Sequence, residues 1–165
     1  MPDFRDNAAL LLSAWQQHAG PCRLYAAQLC AWPDDVVQEA FVRLMRHLQT
    51  KPPPDHPRAW LLTAVRSAAF DLGKSETRRR QREQRVALFD QTASPGANAP
   101  FDTSDVEAAL QEVPQTGREI VVLRLWNGLS FEQIAGLVGT SPSTAHTRYT
   151  AAIRQLRQIF GEDNG

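Results

Sequence analysis

The stretch that most constrains the fold is SFEQIAGLVGTSPSTAHTRY, from Ser130 to Tyr149. Ser130 followed three residues later by Gln133 is the pattern of a capping box, which marks a helix start. Gly139 is suited to end that helix, and Ser141 with Pro142 is suited to begin the next one. Two capped helices joined by a turn of about three residues predict a helix-turn-helix.

The rest of the chain is also dominated by helical periodicity, with no convincing alternation typical of strands. The segment 90–104, DQTASPGANAPFDTS, is rich in small and turn-forming residues and predicts a flexible linker. It divides the chain into a domain at 1–89 and a domain at 105–165. We therefore expect an all-α protein of two small helical domains, the second of which contains the helix-turn-helix.

Each domain is expected to contain four helices. In the first domain they run over about 3–18, 22–31, 34–48 and 58–72, and Gly20-Pro21 should separate the first two. The fourth could continue into the charged segment beyond Gly73. In the second domain, Thr116 and Glu119 form a further capping-box pattern, between a short helix over about 105–112 and the helix-turn-helix.

Charge is balanced overall but not along the chain. The 18 basic residues equal the 18 acidic ones, so net charge gives no hint of a nucleic-acid partner. KSETRRRQREQR, from Lys74 to Arg85, carries six basic and two acidic residues. Such a run is either a solvated helix face or a phosphate-binding strip. Its position directly after an amphipathic helix favours the strip.

Other classes of protein find little support in the residues. Cys22 and Cys30 do not form a disulfide framework, which suits a reducing cytosol. Zinc bound by these cysteines and His18 is an alternative, but the spacing lacks the close Cys pair of most structural zinc sites. No apolar run reaches the roughly 20 residues of a membrane span, and no catalytic motif is recognisable. We expect no cofactor, no metal, no catalytic residues and no membrane insertion.

Several segments together resemble one protein family. GLSFEQIAGLVGTSPSTAHTRY is similar to the helix-turn-helix in the fourth region of bacterial RNA polymerase sigma factors of the extracytoplasmic-function (ECF) group, and 114–130 resembles the helix before it. PDDVVQEAFVRLMRHL, residues 33–48, resembles the polymerase-binding second region of that family. RAWLLTAVRSAAFDLGKSETRRR, residues 58–80, resembles the promoter-melting part of that region.

The resemblance implies three sets of contact residues. The set that would bind the clamp of the largest polymerase subunit is Asp35, Gln38 and Glu39. The set that would bind the melted downstream promoter element is Arg66, Ser67, Asp71, Lys74, Arg78, Arg79 and Arg80. The set that would bind the upstream promoter element is Ser143, Thr144, His146, Thr147 and Arg148. The loop 51–57 corresponds to one implicated in holding a flipped base.

The resemblance also implies the function. It implies a cytoplasmic alternative sigma factor that binds core RNA polymerase, through the clamp and the flap of the second large subunit, and directs initiation at promoter DNA. Family members are often inhibited by an anti-sigma factor. Ser67 stands where members commonly carry Asn, so we expect base capture there to differ. His146 stands where many carry Lys or Arg, and 150–153 stand where many carry a His-Arg-Ala-Arg run, so we expect the helix-turn-helix to bind DNA weakly alone. Two alternatives remain: a free-standing helix-turn-helix regulator, and a degenerate sigma-like module that binds only protein.

Overall fold

The computed structural model describes residues 3–83 and 104–161, and within them the side chains of 3–74 and 105–161. All secondary structure in these ranges is helical, as expected. The helices are α1 (Phe4–Ala27), α2 (Pro33–Thr50), α3 (Pro57–Glu83), α4 (Ser104–Gln111), α5 (Gln115–Leu125), α6 (Phe131–Val138) and α7 (Pro142–Ile159). Most of the segment expected to be a linker lies outside the described residues.

The first three helices pack on one another as a bundle. Pro33 lies at the first turn of α2, where its missing N–H costs nothing, and Asp34 and Asp35 in the same turn suit the positive end of the helix dipole. The apolar stripe of α2 includes Phe41, Leu44 and Leu48, all of which are buried. Helix α3 continues through Gly73, as the sequence allowed.

The expectation of two helices before residue 31 is wrong, because α1 is continuous through Gly20-Pro21. Proline in a helix interior removes one backbone hydrogen bond and disfavours the helix locally. Buried residues lie on both sides of the break, with Ala14 and His18 before it and Cys22 and Tyr25 after it. Packing of both segments against α2 and α3 therefore outweighs the local cost of the proline.

The remaining helices pack around α5 and α7. The capping box at Ser130 forms as expected, since the Ser130 hydroxyl accepts from the Gln133 N–H at 3.1 Å and the Gln133 side chain accepts from the Ser130 N–H at 3.0 Å. Gly139 ends α6 with φ of 76°, a conformation that favours glycine. Ser141 then caps α7 by accepting from the Thr144 N–H at 3.1 Å.

The capping box expected at Thr116 and Glu119 is wrong. The N-cap of α5 is Pro114, two residues before Thr116, and the helix has no side-chain cap. Glu119 is instead buried, with 6% of its surface exposed, and it pairs with residues of α1 and α3. Partners distant in sequence thus take the carboxylate away from its own helix end.

The two helical parts are in contact. Helix α5 packs against α1, and α6 meets α3. Buried apolar residues of both parts belong to one continuous hydrophobic cluster. The upstream and downstream candidate residues are therefore positioned on a single folded unit in this conformation.

Candidate functional site

An open groove of about 590 Å³ lies between the first half of α3 and the proline-rich loop before it. The loop is fastened to α2 because the His47 ring nitrogen Nε2 lies 3.0 Å from the carbonyl oxygen of Pro52, and the His47 ring packs on Trp60 at 5.2 Å between centroids. The groove residues are Arg43, Pro54, Asp55, His56, Ala59, Trp60, Thr63, Ala64 and Ser67. The groove therefore combines an aromatic and apolar lining with polar groups at its edges.

Arg43 organises one end of this groove. Its Nε donates to Glu39 Oε1 at 3.0 Å, its NH1 to Ser67 Oγ at 3.2 Å and its NH2 to Asp71 Oδ2 at 3.2 Å. The pKa of Arg43 is raised, first by its hydrogen bond with Glu39 and also by the carboxylate of Asp71. Burial acts in the opposite direction and is outweighed. One guanidinium thus connects two expected strand contacts on α3 to an expected polymerase contact on α2.

The other expected contacts on α3 have different surroundings. Arg66 is turned towards α5, where its Nε donates to Glu119 Oε1 at 2.8 Å, and its guanidinium lies over the Phe70 ring at 4.7 Å from the centroid. Lys74 is exposed. Arg78, Arg79 and Arg80 belong to the backbone of α3, but their side chains lie outside the described part of the chain. The structure therefore does not bring the whole expected set together.

The expected polymerase contacts share one face of α2. Asp35 and Gln38 are exposed, and Glu39 is partly buried by its ion pair with Arg43. Asp34, the neighbour outside this set, pairs with Arg23 of α1 at 2.7 Å. A polar, acidic and accessible face suits a basic protein partner.

The expected upstream contacts lie on the first turns of α7. Ser143, His146, Thr147 and Arg148 are exposed, while Thr144 is half-buried and its hydroxyl accepts from Ser141. The His146 ring packs edge-on against Phe131 at 5.1 Å between centroids. Buried Ala145 faces the core, so the exposed side is left for a partner. In helix-turn-helix proteins these positions reach base edges in the major groove.

Two residues of these networks were not foreseen as functional candidates. Arg43 carries a local signal, since it follows Glu39 by one helical turn, but its distant partners Ser67 and Asp71 carry none. Glu119 is a single acidic residue before the apolar run 120–123. Its place directly before an apolar run, which predicts burial, was the available signal that it would need a partner.

The cysteines and His18 are not arranged for metal binding. In the part of the chain that the structure describes, no cluster of three or more His, Cys, Asp or Glu side chains could hold a metal ion. Burial raises the pKa of the Cys22 thiol to about 12, so it is a protonated core residue. Within the same residues, no helix has the length and apolar character to cross a membrane.

Each of the two helical parts matches a known protein family. The family described as Sigma-70 region 2 matches residues 22–83, and the family described as Sigma-70, region 4 matches residues 103–156. The RNA polymerase sigma factor CarQ of Myxococcus xanthus is 31% identical over 171 residues, which span 98% of this chain and 96% of CarQ. The ECF RNA polymerase sigma factor EcfG of Rhodopseudomonas palustris is 31% identical over 134 residues, 79% of this chain and 72% of the relative.

Solved structures share the fold. The sigma factor RpoE of Bartonella quintana, in complex with the anti-sigma factor NepR, superposes with a TM-score of 0.71 at 22% identity and covers 99% of this chain and 100% of RpoE. CnrH, in complex with the cytosolic domain of CnrY, has a TM-score of 0.62 at 22% identity over 99% of this chain and 92% of CnrH.

The helix-turn-helix, the groove-bearing helical bundle and these matches define a transcription initiation protein of two regions. The chain belongs to the ECF group of bacterial RNA polymerase sigma factors. As an alternative sigma factor it directs transcription initiation together with core RNA polymerase. A free-standing helix-turn-helix regulator is not favoured, because it leaves the match over 22–83 unexplained.

Proposed function

We propose that residues 1–89 bind core polymerase and the melted downstream element, that 105–165 read the upstream element, and that 90–104 link them. The observation that carries this division is the groove between the 51–57 loop and α3. It is large enough for a small ligand and is lined by Ser67, to which the resemblance assigns the melted strand, and by Arg43, which also binds Asp71.

The groove suits an unpaired base. Removing a base from the stack costs a few kcal/mol, so the receiving site must supply stacking and hydrogen bonds. Trp60 offers an aromatic surface, and Asp55, His56 and Ser67 offer polar groups at the edges. Base–aromatic stacking is worth about 1–3 kcal/mol per base. The fastening of the loop to His47 supports a groove that exists before the strand arrives.

Polymerase binding would use the acidic face of α2. Asp35 and Gln38 are free of the Arg43 network and are exposed, so they can meet a basic surface on the clamp directly. Glu39 would act together with Arg43. The flap of the second large subunit is the proposed partner of the residues 105–165.

Upstream recognition would use the exposed side of α7. Arg148 is the only Arg or Lys among the five expected contacts. Few phosphates can therefore be neutralised, and binding by this region alone should be weak. Linking it to polymerase and to the downstream contacts makes its binding effectively intramolecular. We propose that this helix selects promoters only within the assembled complex.

The proposed activity is binding in the cytoplasm, with no reaction catalysed by the chain itself. An anti-sigma factor is a further proposed partner. Among the solved structures that share the fold, one is a complex of the sigma factor RpoE with the anti-sigma factor NepR, and another is CnrH in complex with the cytosolic domain of CnrY.

The decisive experiment combines the full chain with core polymerase and a set of promoters from the same genome. Specific initiation is the expected result. Polymerase binding without initiation would indicate the protein-binding module, and dimeric binding to duplex DNA without polymerase would indicate the free-standing regulator.

A matched pair of charge reversals tests the polymerase face. Asp35→Lys should weaken binding to core polymerase by on the order of tenfold or more, because like charges brought together cost several kcal/mol. Asp34→Lys is the control, since it lies in the same helical turn and suffers the same dipole penalty but pairs with Arg23 instead. Equal effects of the two substitutions would refute the assignment of Asp35.

A further inference from the structure

Arg66, a proposed contact to the promoter strand, is engaged by the other half of the molecule. Its Nε donates to Glu119 Oε1 at 2.8 Å across a separation of 53 residues. Burial alone would lower the pKa of Arg66, but the hydrogen bond and the charge of Glu119 raise it. The guanidinium is therefore a full cation whose nearest counterion is a carboxylate of α5.

Glu119 is built into the contact between the two parts. Only 8% of its side chain is exposed, and a buried carboxylate without a partner costs several kcal/mol. The same oxygen Oε1 also accepts from the Tyr25 hydroxyl of α1, a residue with no exposed surface. Burial, and then the negative charge of Glu119, raise the pKa of Tyr25, which keeps the hydroxyl protonated as a donor. Three helices thus converge on one carboxylate.

A second contact fastens the far end of α5. Arg58 NH1 donates to the carbonyl oxygen of Asn127 at 3.1 Å, just after α5 ends. Glu119 lies near the middle of α5 and Asn127 lies just after its end, so α5 is attached to the N-terminal part at two points. Arg58 and Arg66 both belong to α3, the helix that borders the groove.

We propose that α5 docks on the N-terminal part through α1 and the arginines of α3, and that Glu119 occupies Arg66 in the free protein in place of nucleic acid. In the proposed function, on which this rests, Arg66 contacts the melted strand. Carboxylate and phosphate oxygens accept from a guanidinium in the same way, so they compete for it. A phosphate approaching Arg66 in this closed form also meets the negative charge of Glu119. The promoter strand and α5 therefore bind Arg66 in alternation, and separation of the two parts precedes strand capture.

The test uses the full chain in solution, with Glu119→Gln as the main variant. Glutamine preserves the shape of the side chain but removes the charge that pairs with Arg66. The control is Glu112→Gln, the same chemical change at an exposed position of the same part. Small-angle X-ray scattering reports the separation of the two parts, and fluorescence anisotropy reports the binding of a labelled single-stranded DNA with the sequence of the downstream element.

Glu119→Gln should increase the radius of gyration and tighten DNA binding about tenfold, which corresponds to about 1.4 kcal/mol less stabilisation of the closed form. Glu112→Gln should change neither. Tyr25→Phe removes one hydrogen bond to Glu119 with little change in shape, and it should shift both measurements in the same direction. It decides the question if Glu119→Gln fails to fold by circular dichroism.

An unchanged radius and unchanged DNA affinity in the folded variants would overturn the docking proposal. A larger radius with unchanged affinity would also overturn it, because Glu119 would then not compete with DNA. The role of Arg66 is tested separately by strand crosslinking in the polymerase complex with Arg66→Ala. Unchanged crosslinking there would refute the strand contact, while the scattering result would still decide whether Glu119 closes the molecule.

Discussion

At the scale of single residues, Arg43 has the widest reach of the described polar side chains on α2. A planar guanidinium can donate in several directions at once, whereas a lysine ammonium at the end of a flexible chain cannot reproduce that geometry. The three nitrogens of the Arg43 guanidinium donate to Glu39, Ser67 and Asp71 at the same time. It lines the groove together with Ser67, and its hydrogen bonds hold the Ser67 and Asp71 side chains in place.

Arg43→Lys should reduce promoter opening several-fold while changing stability little. The ion pairs it makes are partly exposed, and such pairs contribute about 0–1 kcal/mol each. A fluorescent base in the downstream element would report opening by the assembled polymerase, and urea unfolding would report stability. Arg5→Lys, at an exposed residue of α1, is the control. Normal opening with Arg43→Lys would show that the three-way contact is only structural.

How far single residues were predictable depended on the distance to their partners. The caps of α6 and α7 were foreseen correctly because each is made within three residues. The partners of Glu119 are 53 and 94 residues away, and no local pattern indicates them. The sequence therefore predicted a helix cap at Glu119, whereas in the structure this residue forms a buried ion pair.

At the scale of elements, the helix-turn-helix was predictable and α1 was not. Helix starts and ends are governed by local chemistry, which is strong around Gly139. In α1 the local signal at Gly20-Pro21 favours a break, but burial of His18 and Cys22 on either side favours continuity. Tertiary packing decides such conflicts. For the same reason, the sequence located the groove-lining loop but not the groove, which needs the docking of α2 and α3.

The N-terminal cap of α7 should separate stability from recognition. Ser141→Ala removes the acceptor for the Thr144 N–H and should lower the free energy of unfolding by about 1 kcal/mol. Ser143→Ala, two residues further on and exposed, should leave stability nearly unchanged and weaken promoter binding by the assembled complex. Urea unfolding and promoter binding measured on both variants check this. Loss of stability in both would mean that Ser143 is a structural residue.

At the scale of the whole molecule, the docking of the two parts was beyond the sequence. The composition of 90–104 predicted two helical parts, but it carries no sign of the long-range pairs that join them, Glu119 with Tyr25 and Arg66, and Arg58 with Asn127. Arg58 also donates from Nε to His18 Nδ1 at 3.4 Å. His18 therefore lies behind one of the contacts that fasten α5 to the N-terminal part, which connects a buried imidazole to the state of the whole chain.

This connection predicts that acidification destabilises the closed molecule. Burial, and then the positive charge of Arg58, lower the pKa of His18 below its ordinary value, which is about 6.5 in an unfolded chain. Below about pH 6.5 the unfolded state thus binds more protons than the folded state. The free energy of unfolding is then unaffected by His18 above that pH and falls as the pH drops towards the folded pKa.

The midpoint of urea unfolding of the full chain should therefore decrease more between pH 6.5 and pH 5.5 than between pH 7.5 and pH 6.5, taking about 6.5 as the unfolded pKa. His18→Asn is the informative variant, because the amide oxygen can replace Nδ1 as acceptor for Arg58 but does not titrate. It should reduce the decrease at low pH. If the variant loses stability on acidification as much as the parent chain, other groups carry the effect and His18 is not the sensor. If the decrease is reduced, protonation of this one imidazole beside Arg58 accounts for part of the loss of stability on acidification.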